Sequence, residues 1–404
     1  MMRPLLLLLL SLLLLPAAAA EEADLLRLRR LAMEAQIRIG DTLRQKGERE
    51  GARAAYEEAL RLERGPLRGG PAVRLALQWL AAHQDPDGKW DCDNFMRHDP
   101  AGDRCDGAGQ PLYDEGVTAL AALAFLRAQG DGPEVRKALD FLIRNQDTDG
   151  RFGTVRTSHS IYNSAIATWA LCEGFERTRE KRYGEAAQQG LGFLEAARNP
   201  HLGWRYGVRT GDNDTSVTAC CVLAVAAGKR AGLRVEEGAF DGARAWFDKM
   251  TDPGSGQVGY NVRGGMPARP EAMIAAFPSE RSQSITAAAV SARLAMGEDP
   301  ASPIVRKGVD LCLRLPPVWN TDGSIDMYYW LHATEAMAVV GGATFAAWRA
   351  KLEEALLRNQ HPLGSGASTG SWDPVDPWGD DGGRVYSTAL LALALATEPR
   401  AGPR

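Results

Sequence analysis

The feature that most constrains the fold is a turn pattern that recurs along most of the chain. In its first copy, residues 76–90, a helically spaced apolar stretch leads through Gln84 to a turn and then to Trp90. The turn, Asp85-Pro86-Asp87-Gly88, cannot continue a helix. Further copies end at Phe152, Trp204, Tyr260 and Trp372, and a weaker copy spans residues 309–324. Self-similarity at this spacing indicates a repeat architecture.

Two kinds of helix alternate between these turns. One kind ends in the turn and is predicted over residues 72–83, 133–145, 183–197, 239–250, 303–315 and 344–359. The other kind is apolar and rich in small residues, and is predicted over residues 115–129, 160–176, 214–231, 282–296, 327–340 and 384–397. Helices that are apolar nearly all round are buried on most sides, and small residues let six of them crowd around one axis. The sequence therefore predicts an all-α fold, an (α/α)6 toroid of six helical hairpins.

The turn pattern resembles the QW motif of squalene cyclases, and related repeats occur in protein prenyltransferase β subunits. The resemblance covers roughly residues 68–399 and is more specific for fold than for function. The glutamine amide can satisfy free backbone groups at neighbouring helix ends, and the aromatic residue can stack over the same end. Because both roles are structural, we expect these motifs to carry no chemistry.

The N-terminal segment predicts export. Arg3 is followed by an apolar run at residues 5–15, then by Pro16 and the alanines at 17–20. These are the three parts of a secretory signal peptide, and the run is too short to span a bilayer. Residues 1–20 are therefore predicted to be cleaved before Glu21, leaving a periplasmic or extracellular protein. The alternative is an uncleaved anchor, which is the one route to membrane association that the sequence suggests.

A short helical hairpin is predicted between the signal peptide and the toroid, over residues 21–66. Gly40, Ala52, Tyr56 and Ala59 match key positions of one tetratricopeptide-like repeat. One such repeat cannot bury its own apolar face, so we expect it to cap the toroid edge; the alternative is a protein-docking role. The toroid is predicted over residues 67–400.

Composition narrows the classes of partner. The 404 residues are 45% hydrophobic and 24% charged, with a net charge of −4. This balance gives no indication of a nucleic-acid partner. No nucleotide-binding loop, Gly-x-Ser-x-Gly motif or zinc-protease motif occurs, and no cofactor is expected.

Candidate binding residues lie where the chain passes into the apolar helices, because function in toroids of this kind is expected in the central cavity. Acids and hydroxyls at these positions are also good helix N-caps, so each one has a structural alternative. The candidate ligand-binding residues are Asp114, His159, Tyr162, Asn163, Tyr206, Asp212, Asp214, Arg281, Gln283, Tyr328, Tyr329, Trp330, Arg384 and Tyr386.

Two resemblances bear on catalysis. Squalene–hopene-type cyclases protonate their substrate with the middle Asp of Asp-x-Asp-Asp-Thr, whereas the matching stretch here reads Gly211-Asp212-Asn213-Asp214-Thr215. An amide is not an acid, so this departure argues against cyclisation by the usual route. Asp212, Asp214 and His159 remain the catalytic candidates. Prenyltransferases hold zinc with Asp-x-Cys and a later His; Asp103-Arg104-Cys105 has that spelling, but it comes too early in the chain, and no metal site is expected.

The cysteines are assigned by context. Cys92 and Cys105 flank a polar loop in a chain predicted to be exported, so a disulfide between them is expected, with metal binding as the alternative. The remaining cysteines fall within predicted helices and are expected to be buried small apolar residues, namely Cys172, Cys220, Cys221 and Cys312.

The favoured hypothesis is an exported toroid that binds without catalysis. Its partner is expected to be an apolar, isoprenoid-like molecule, a glycan or another protein. The alternative is an enzyme of the terpenoid cyclase or prenyltransferase class, or one that acts on polysaccharides. Its reactive set would then be His159, Tyr162, Asp212, Asp214, Arg281, Tyr329 and Arg384.

Overall fold

The computed structural model describes residues 70–153 and 160–399, together with residues 38, 39, 42, 43, 46 and 48. The chain divides into two compact units, Met1–Leu67 and Arg68–Arg404. In the first unit, the described residues at 38–39 and 42–43 are helical. The predicted signal peptide and most of the tetratricopeptide-like hairpin lie outside the described residues, so both stay predictions.

Twelve α-helices occur in the described part of the second unit. They are α1 (Gly70–Ala82), α2 (Asp114–Ala128), α3 (Pro133–Arg144), α4 (Ser160–Thr178), α5 (Lys181–Ala197), α6 (Thr215–Arg230), α7 (Gly238–Met250), α8 (Ser284–Ala295), α9 (Pro303–Arg314), α10 (Met327–Val340), α11 (Gly342–Leu357) and α12 (Gly379–Ala396). The same residues contain no strand beyond two isolated bridges within motif turns. Among them, no helix has both the length and the hydropathy to cross a membrane.

The even-numbered helices form a closed inner ring. Each contacts the next even-numbered helix, and α12 returns to contact α2. The odd-numbered helices pack outside them, and α1 lies against α12 as well as α2. The inner helices are buried on nearly every side, as their small and aliphatic residues require. The predicted (α/α)6 toroid is confirmed.

The motif turns tie neighbouring hairpins together through backbone carbonyls. Gln84 donates from Nε2 to Gly88 O in its own turn and to Glu134 O of the next outer helix, both at 2.9 Å. Gln146 repeats this with Gly150 O and Ala186 O at 3.1 and 3.0 Å. Gln360 closes the ring, because its Nε2 donates to Gly370 O and to Ala72 O of α1, both at 2.8 Å.

The motif tryptophans close their own helix ends. The indole Nε1 atoms of Trp90, Trp204 and Trp372 donate to Leu80 O, Leu194 O and Leu356 O at 2.7, 2.7 and 2.9 Å. All three rings are almost fully buried. The turns need glycine before the aromatic residue. At Gly88, φ is +101° and an added Cβ would lie 2.1 Å from Lys137 O of the next outer helix.

Candidate functional site

The inner ring encloses a central cavity of about 200 Å³. Every inner helix contributes to its wall, and most of the wall is aromatic or aliphatic. The aromatic lining residues are Tyr113, Tyr162, Trp169, Tyr206, Tyr260, Tyr328, Trp378 and Tyr386, and the aliphatic ones include Val117, Leu120, Ile166, Ile285, Leu331 and Leu390. Such a wall is suited to an apolar ligand with a few fixed polar contacts.

Five of the predicted binding residues line this cavity. They are Tyr162, Asn163, Tyr206, Tyr328 and Tyr386. Asn163 is fixed by a 2.8 Å bond from Nδ2 to Leu112 O. The rings of Tyr162 and Tyr206 lie 6.4 Å apart, so these two residues form a continuous aromatic stretch of wall.

Several other predicted residues do not line the cavity. Tyr329 points to the outer layer, where its hydroxyl donates to Cys312 O and Leu315 O at 2.9 Å. Trp330 is buried beside Trp319, with ring centroids 6.0 Å apart. Arg384 is buried among Asp106, Ser371 and Asp373, where the first and last hairpins meet. These side chains contact other parts of the protein and do not face the cavity. Their assignment to ligand binding is therefore corrected.

The predicted polar residues at the other helix starts also lie away from the cavity. The side chains of Arg281 and Asp212 are 52% and 72% exposed, and they face Asp322 and Arg205. Gln283 directly precedes α8 and accepts a 2.9 Å bond from Thr286 in its first turn. Asp114 is the first residue of α2, and its carboxylate accepts from Cys92 N at 2.9 Å and pairs with Lys89 at 2.8 Å. None of these lines the cavity. His159 lies outside the described residues.

Asp214 lies behind the cavity wall. It caps α6, accepting from Val217 N at 2.8 Å and from Ser216 Oγ at 2.9 Å. Tyr260, which does line the cavity, donates to Asp214 Oδ2 at 3.2 Å. Burial raises the pKa of Asp214 to about 6, although these donors favour its ionised form. The carboxyl is thus an acceptor for wall residues.

Asn213, at the proton donor's place in the cyclase motif, shapes its turn. Its Oδ1 accepts from Gly203 N at 3.0 Å and from Asn199 Nδ2 at 3.2 Å. The side chain is buried, and an amide has no acidic proton to give. The role is structural.

Two further buried carboxyls, Asp326 and Asp376, lie in the segments that lead into α10 and α12. Asp326 caps α10 through Tyr329 N and pairs with buried Arg269 at 2.7 Å. Asp376 accepts from Met327 N and Trp378 N, both at 3.1 Å. Burial, followed by the charge of Asp326, raises the pKa of Asp376 to about 7. Asp376 is therefore harder to ionise than an ordinary carboxyl.

Four polar atoms of cavity residues have no hydrogen-bond partner among the described residues. They are Tyr328 Oη, His332 Nδ1, Trp378 Nε1 and Tyr386 Oη. Burial lowers the pKa of His332 to about 4, so its ring is neutral at pH 7. Buried polar groups normally find partners, so these atoms are available to a ligand.

Sequence reasoning did not assign Trp169, Tyr260, His332 or Trp378 to the cavity. A usable signal was present in α10, where Tyr328 and His332 are one turn apart and their rings are 4.3 Å apart. The sequence pattern identifies Tyr260 only as the aromatic residue of a motif turn.

The expected disulfide between Cys92 and Cys105 is not formed in the structure, where both thiols are free and buried. The two side chains face different surroundings. Cys105 lies beside His83 and Asp99, whereas Cys92 lies beside the Asp114 carboxylate. This assignment is corrected. The four helical cysteines are buried, as predicted.

Comparisons with known proteins bear on the fold. No family model matches the chain. A drimenyl diphosphate synthase from Streptomyces showdoensis is 28% identical over 195 residues, which are 47% of this chain and 33% of that enzyme. The match therefore spans about a third of that relative's length.

Solved structures match a much larger share of the chain. A protein from Actinoplanes matches with a TM-score of 0.54 and 18% identity, over 81% of this chain and 98% of that one. The type II terpene cyclase MstE from Scytonema matches at 0.51 and 15%, over 80% and 96%. A GH76A α-1,6-mannanase from Salegentibacter matches at 0.54 and 13%, over 81% and 98%. At these identities the likeness establishes the fold alone: the chain is an α/α toroid, the fold that it shares with the terpene cyclase and the mannanase.

Proposed function

We propose that the central cavity binds a short isoprenoid-like molecule without transforming it. The observation that carries this proposal is the wall itself, to which six inner helices contribute mainly aromatic and aliphatic side chains. Removing an apolar chain from water into such a space is favourable. The volume of about 200 Å³ lies below the range of roughly 300–1,000 Å³ usual for ligand pockets, so the ligand is smaller than squalene.

Among toroids of this fold, the apolar wall favours an isoprenoid over a glycan. A variant of the Scytonema cyclase has been solved with geranylgeranyl dihydroxybenzoate, and a variant of the mannanase with α-1,6-mannotriose. A sugar chain needs many hydrogen bonds to replace those it makes with water. Here one buried acid behind the wall, Asp214, already accepts hydrogen bonds from Tyr260, Ser216 and Val217.

Unpartnered polar atoms of the cavity residues indicate that the ligand has a polar group at one end. His332 Nδ1, Trp378 Nε1 and Tyr386 Oη offer an acceptor or donor, a donor, and a hydroxyl that does both. An isoprenoid alcohol would satisfy groups that are otherwise left without partners.

Binding can be tested by quenching the fluorescence of Trp169 and Trp378 with farnesol. Ala268 lines the cavity from a connecting segment and is half-buried, so Ala268→Phe should reduce the free volume with little cost to the helices. Exposed Ala275, on the same segment, provides the control Ala275→Phe. We expect saturable binding in wild type and the control, weakened at least about tenfold in Ala268→Phe. Equal binding by all three proteins would contradict the proposed site.

A second candidate function, acid-initiated cyclisation, is favoured by Asp376. Its raised pKa keeps a proton available near neutral pH, and Trp378 of the cavity wall lies two residues further on. Incubation with squalene, oxidosqualene and farnesyl diphosphate, followed by analysis of cyclic products, separates the two functions. The binding proposal predicts no product. Turnover abolished by Asp376→Asn or Asp212→Asn would establish an enzyme instead.

Export is part of the proposal and rests on Arg3, the leucine run and the alanines at 17–20. N-terminal sequencing of the secreted protein should begin at or near Glu21. A membrane-embedded product that retains Met1 would contradict it.

A further inference from the structure

His83, Asp99 and Cys105 come together away from the cavity, at the end of α1 and in the loop that follows. One possible ligand atom from each lies within 4.8 Å of the other two. The side chains of His83 and Asp99 are 4% and 2% exposed, and Cys105 is 6% exposed. An imidazole, a carboxylate and a thiol in one buried cluster form a donor set typical of Zn²⁺.

The orientation of His83 is the second observation. Its Nδ1 lies 2.7 Å from Trp79 O, and its Nε2 lies 2.7 Å from Asp99 Oδ1. Both neighbours are acceptors, so a neutral ring, with one N–H, cannot satisfy both. A ring that donates Nδ1–H to a backbone carbonyl and presents the Nε2 lone pair to a metal satisfies this arrangement, and it is the usual orientation of a zinc-bound histidine.

We propose that His83 Nε2, Asp99 Oδ1 and Cys105 Sγ bind one Zn²⁺ ion. In a tetrahedral site with bonds of about 2.0–2.1 Å, nitrogen and oxygen ligands lie about 3.3 Å apart. The present Nε2–Oδ1 distance of 2.7 Å therefore has to open by about 0.6 Å. Binding releases to solvent the thiol proton of Cys105 and any proton on Nε2. The fourth ligand is water or the Ser368 hydroxyl, which lies 3.7 Å from Cys105 Sγ.

The neighbouring contacts indicate what the ion does. Cys105 N donates to Asp99 Oδ2 at 2.8 Å, and Asp103 accepts from Ala367 N at 3.0 Å. Trp79, which stacks on His83, donates to Ala367 O at 2.9 Å. Residues 366–368 belong to the last hairpin, whereas His83 follows the first outer helix. A zinc ion at this point stabilises the contact between the first and last hairpins, where the ring closes.

A second cluster of acidic side chains does not support a metal site in the same way. Asp91, Asp93 and Asp114 also lie within 4.8 Å of one another, but Lys89 pairs with Asp91 and Asp114 at 3.1 and 2.8 Å. That lysine supplies the positive charge that a cation would bring. The prenyltransferase-type set of Asp-x-Cys and a later His would use Asp103 and a downstream histidine such as His332. Asp103 instead accepts from a backbone amide, and His332 lines the cavity.

The test uses the full chain, purified without chelator after growth with zinc, and measures metal content. We expect about one zinc per chain in wild type and in the control Cys172→Ser, which changes a buried thiol of α4. Cys105→Ser and Asp99→Asn should each weaken zinc binding by about 100-fold or more. Cobalt offers a second readout, because a thiolate-to-cobalt absorption band should appear in wild type and be missing in Cys105→Ser.

Chelation provides a stability readout that does not depend on any variant. EDTA should lower the melting temperature of wild type, and Zn²⁺ but not Mg²⁺ should restore it. Zinc-free wild type after zinc exposure, undiminished zinc in Cys105→Ser, or a mapped Cys92–Cys105 disulfide would each overturn the proposal. None of these readouts involves the cavity ligand, so the outcome is independent of the proposed function.

Discussion

The outer turns and the inner cavity contain similar polar and aromatic residues, but these residues differ in whether their polar atoms have partners within the protein. At the turns, each motif glutamine and tryptophan of the first and last copies has a backbone partner, as in Gln360 with Ala72 O and Gly370 O. In the cavity, His332, Trp378 and Tyr386 each carry a polar atom with no partner among the described residues. The turns are complete without a ligand, whereas the cavity is not. Motifs that identify this fold therefore reveal little about what it binds.

The largest expected effect is at a motif tryptophan. Trp372 is fully buried, and Trp372→Ala would remove its ring and leave Leu356 O without its donor. We expect a loss of about 3–5 kcal/mol in the free energy of unfolding, measured in urea. The control Trp319→Ala, at a half-buried ring that is not the aromatic residue of a motif turn, should cost less. An equal loss of stability in both variants would contradict the claim that the motif tryptophans contribute more than other tryptophans.

A pH-dependent effect is expected from Asp376. The folded carboxyl keeps its proton to about pH 7, whereas the unfolded chain loses it near the ordinary pKa of 3.8. The folded state binds more protons between these values, so stability falls as pH rises through the window and stays reduced above it. The slope is about 1.4 kcal/mol per pH unit, or at most about 4 kcal/mol in total.

Urea unfolding at pH 5 and pH 8 measures this effect. Asp214 acts in the same direction up to about pH 6, so only the difference between wild type and Asp376→Asn isolates Asp376. The variant should show a smaller fall in stability between the two pH values. Exposed Asp241 provides the control Asp241→Asn, which should follow wild type. Parallel pH profiles for wild type and Asp376→Asn would mean that Asp376 is ionised throughout.

A smaller effect is expected at the ring closure. Gln360→Ala would leave Ala72 O and Gly370 O without their shared donor, at a cost of about 1–3 kcal/mol. Gln188 bonds Arg234 O at the surface, where water can replace it, so Gln188→Ala should cost much less. Chemical denaturation of both variants makes the comparison, and equal costs would show that the motif glutamine is not special.

The smallest change in stability is expected in the cavity. Tyr386 Oη has no partner among the described residues, so Tyr386→Phe should alter the free energy of unfolding by no more than about 0.5 kcal/mol. The same substitution should weaken ligand binding if the hydroxyl contacts the ligand, as titration with farnesol would show. A marked loss of stability with unchanged binding would place this residue with the structural turns.

The fold could be predicted because the turn signal is local. Gln84, the glycine after it and Trp90 act within one hairpin and its neighbour, so their spacing specifies the repeat. The number of copies then predicts a toroid of six hairpins. Most predicted helix boundaries lie within a few residues of those in the structure.

The site was harder to predict because the inner helices are apolar all round. Periodicity cannot show which face of such a helix turns inward, and of the predicted residues 328–330 Tyr328 lines the cavity whereas Tyr329 and Trp330 do not. Arg384 was misplaced for a different reason: its partner Asp106 lies 278 residues away, and no local pattern shows that contact. The same limit applies to Cys105, whose neighbour His83 belongs to a different element.

The most direct test of the central claim is to identify what the cavity holds when the protein is purified from its own cells. Native mass spectrometry of the intact protein, followed by solvent extraction, would determine the mass and stoichiometry of any ligand. We predict a short isoprenoid at about one per chain in wild type and in Ala275→Phe, and its loss in Ala268→Phe. An empty cavity in wild type, a bound oligosaccharide, or an isoprenoid retained equally by Ala268→Phe would contradict the account.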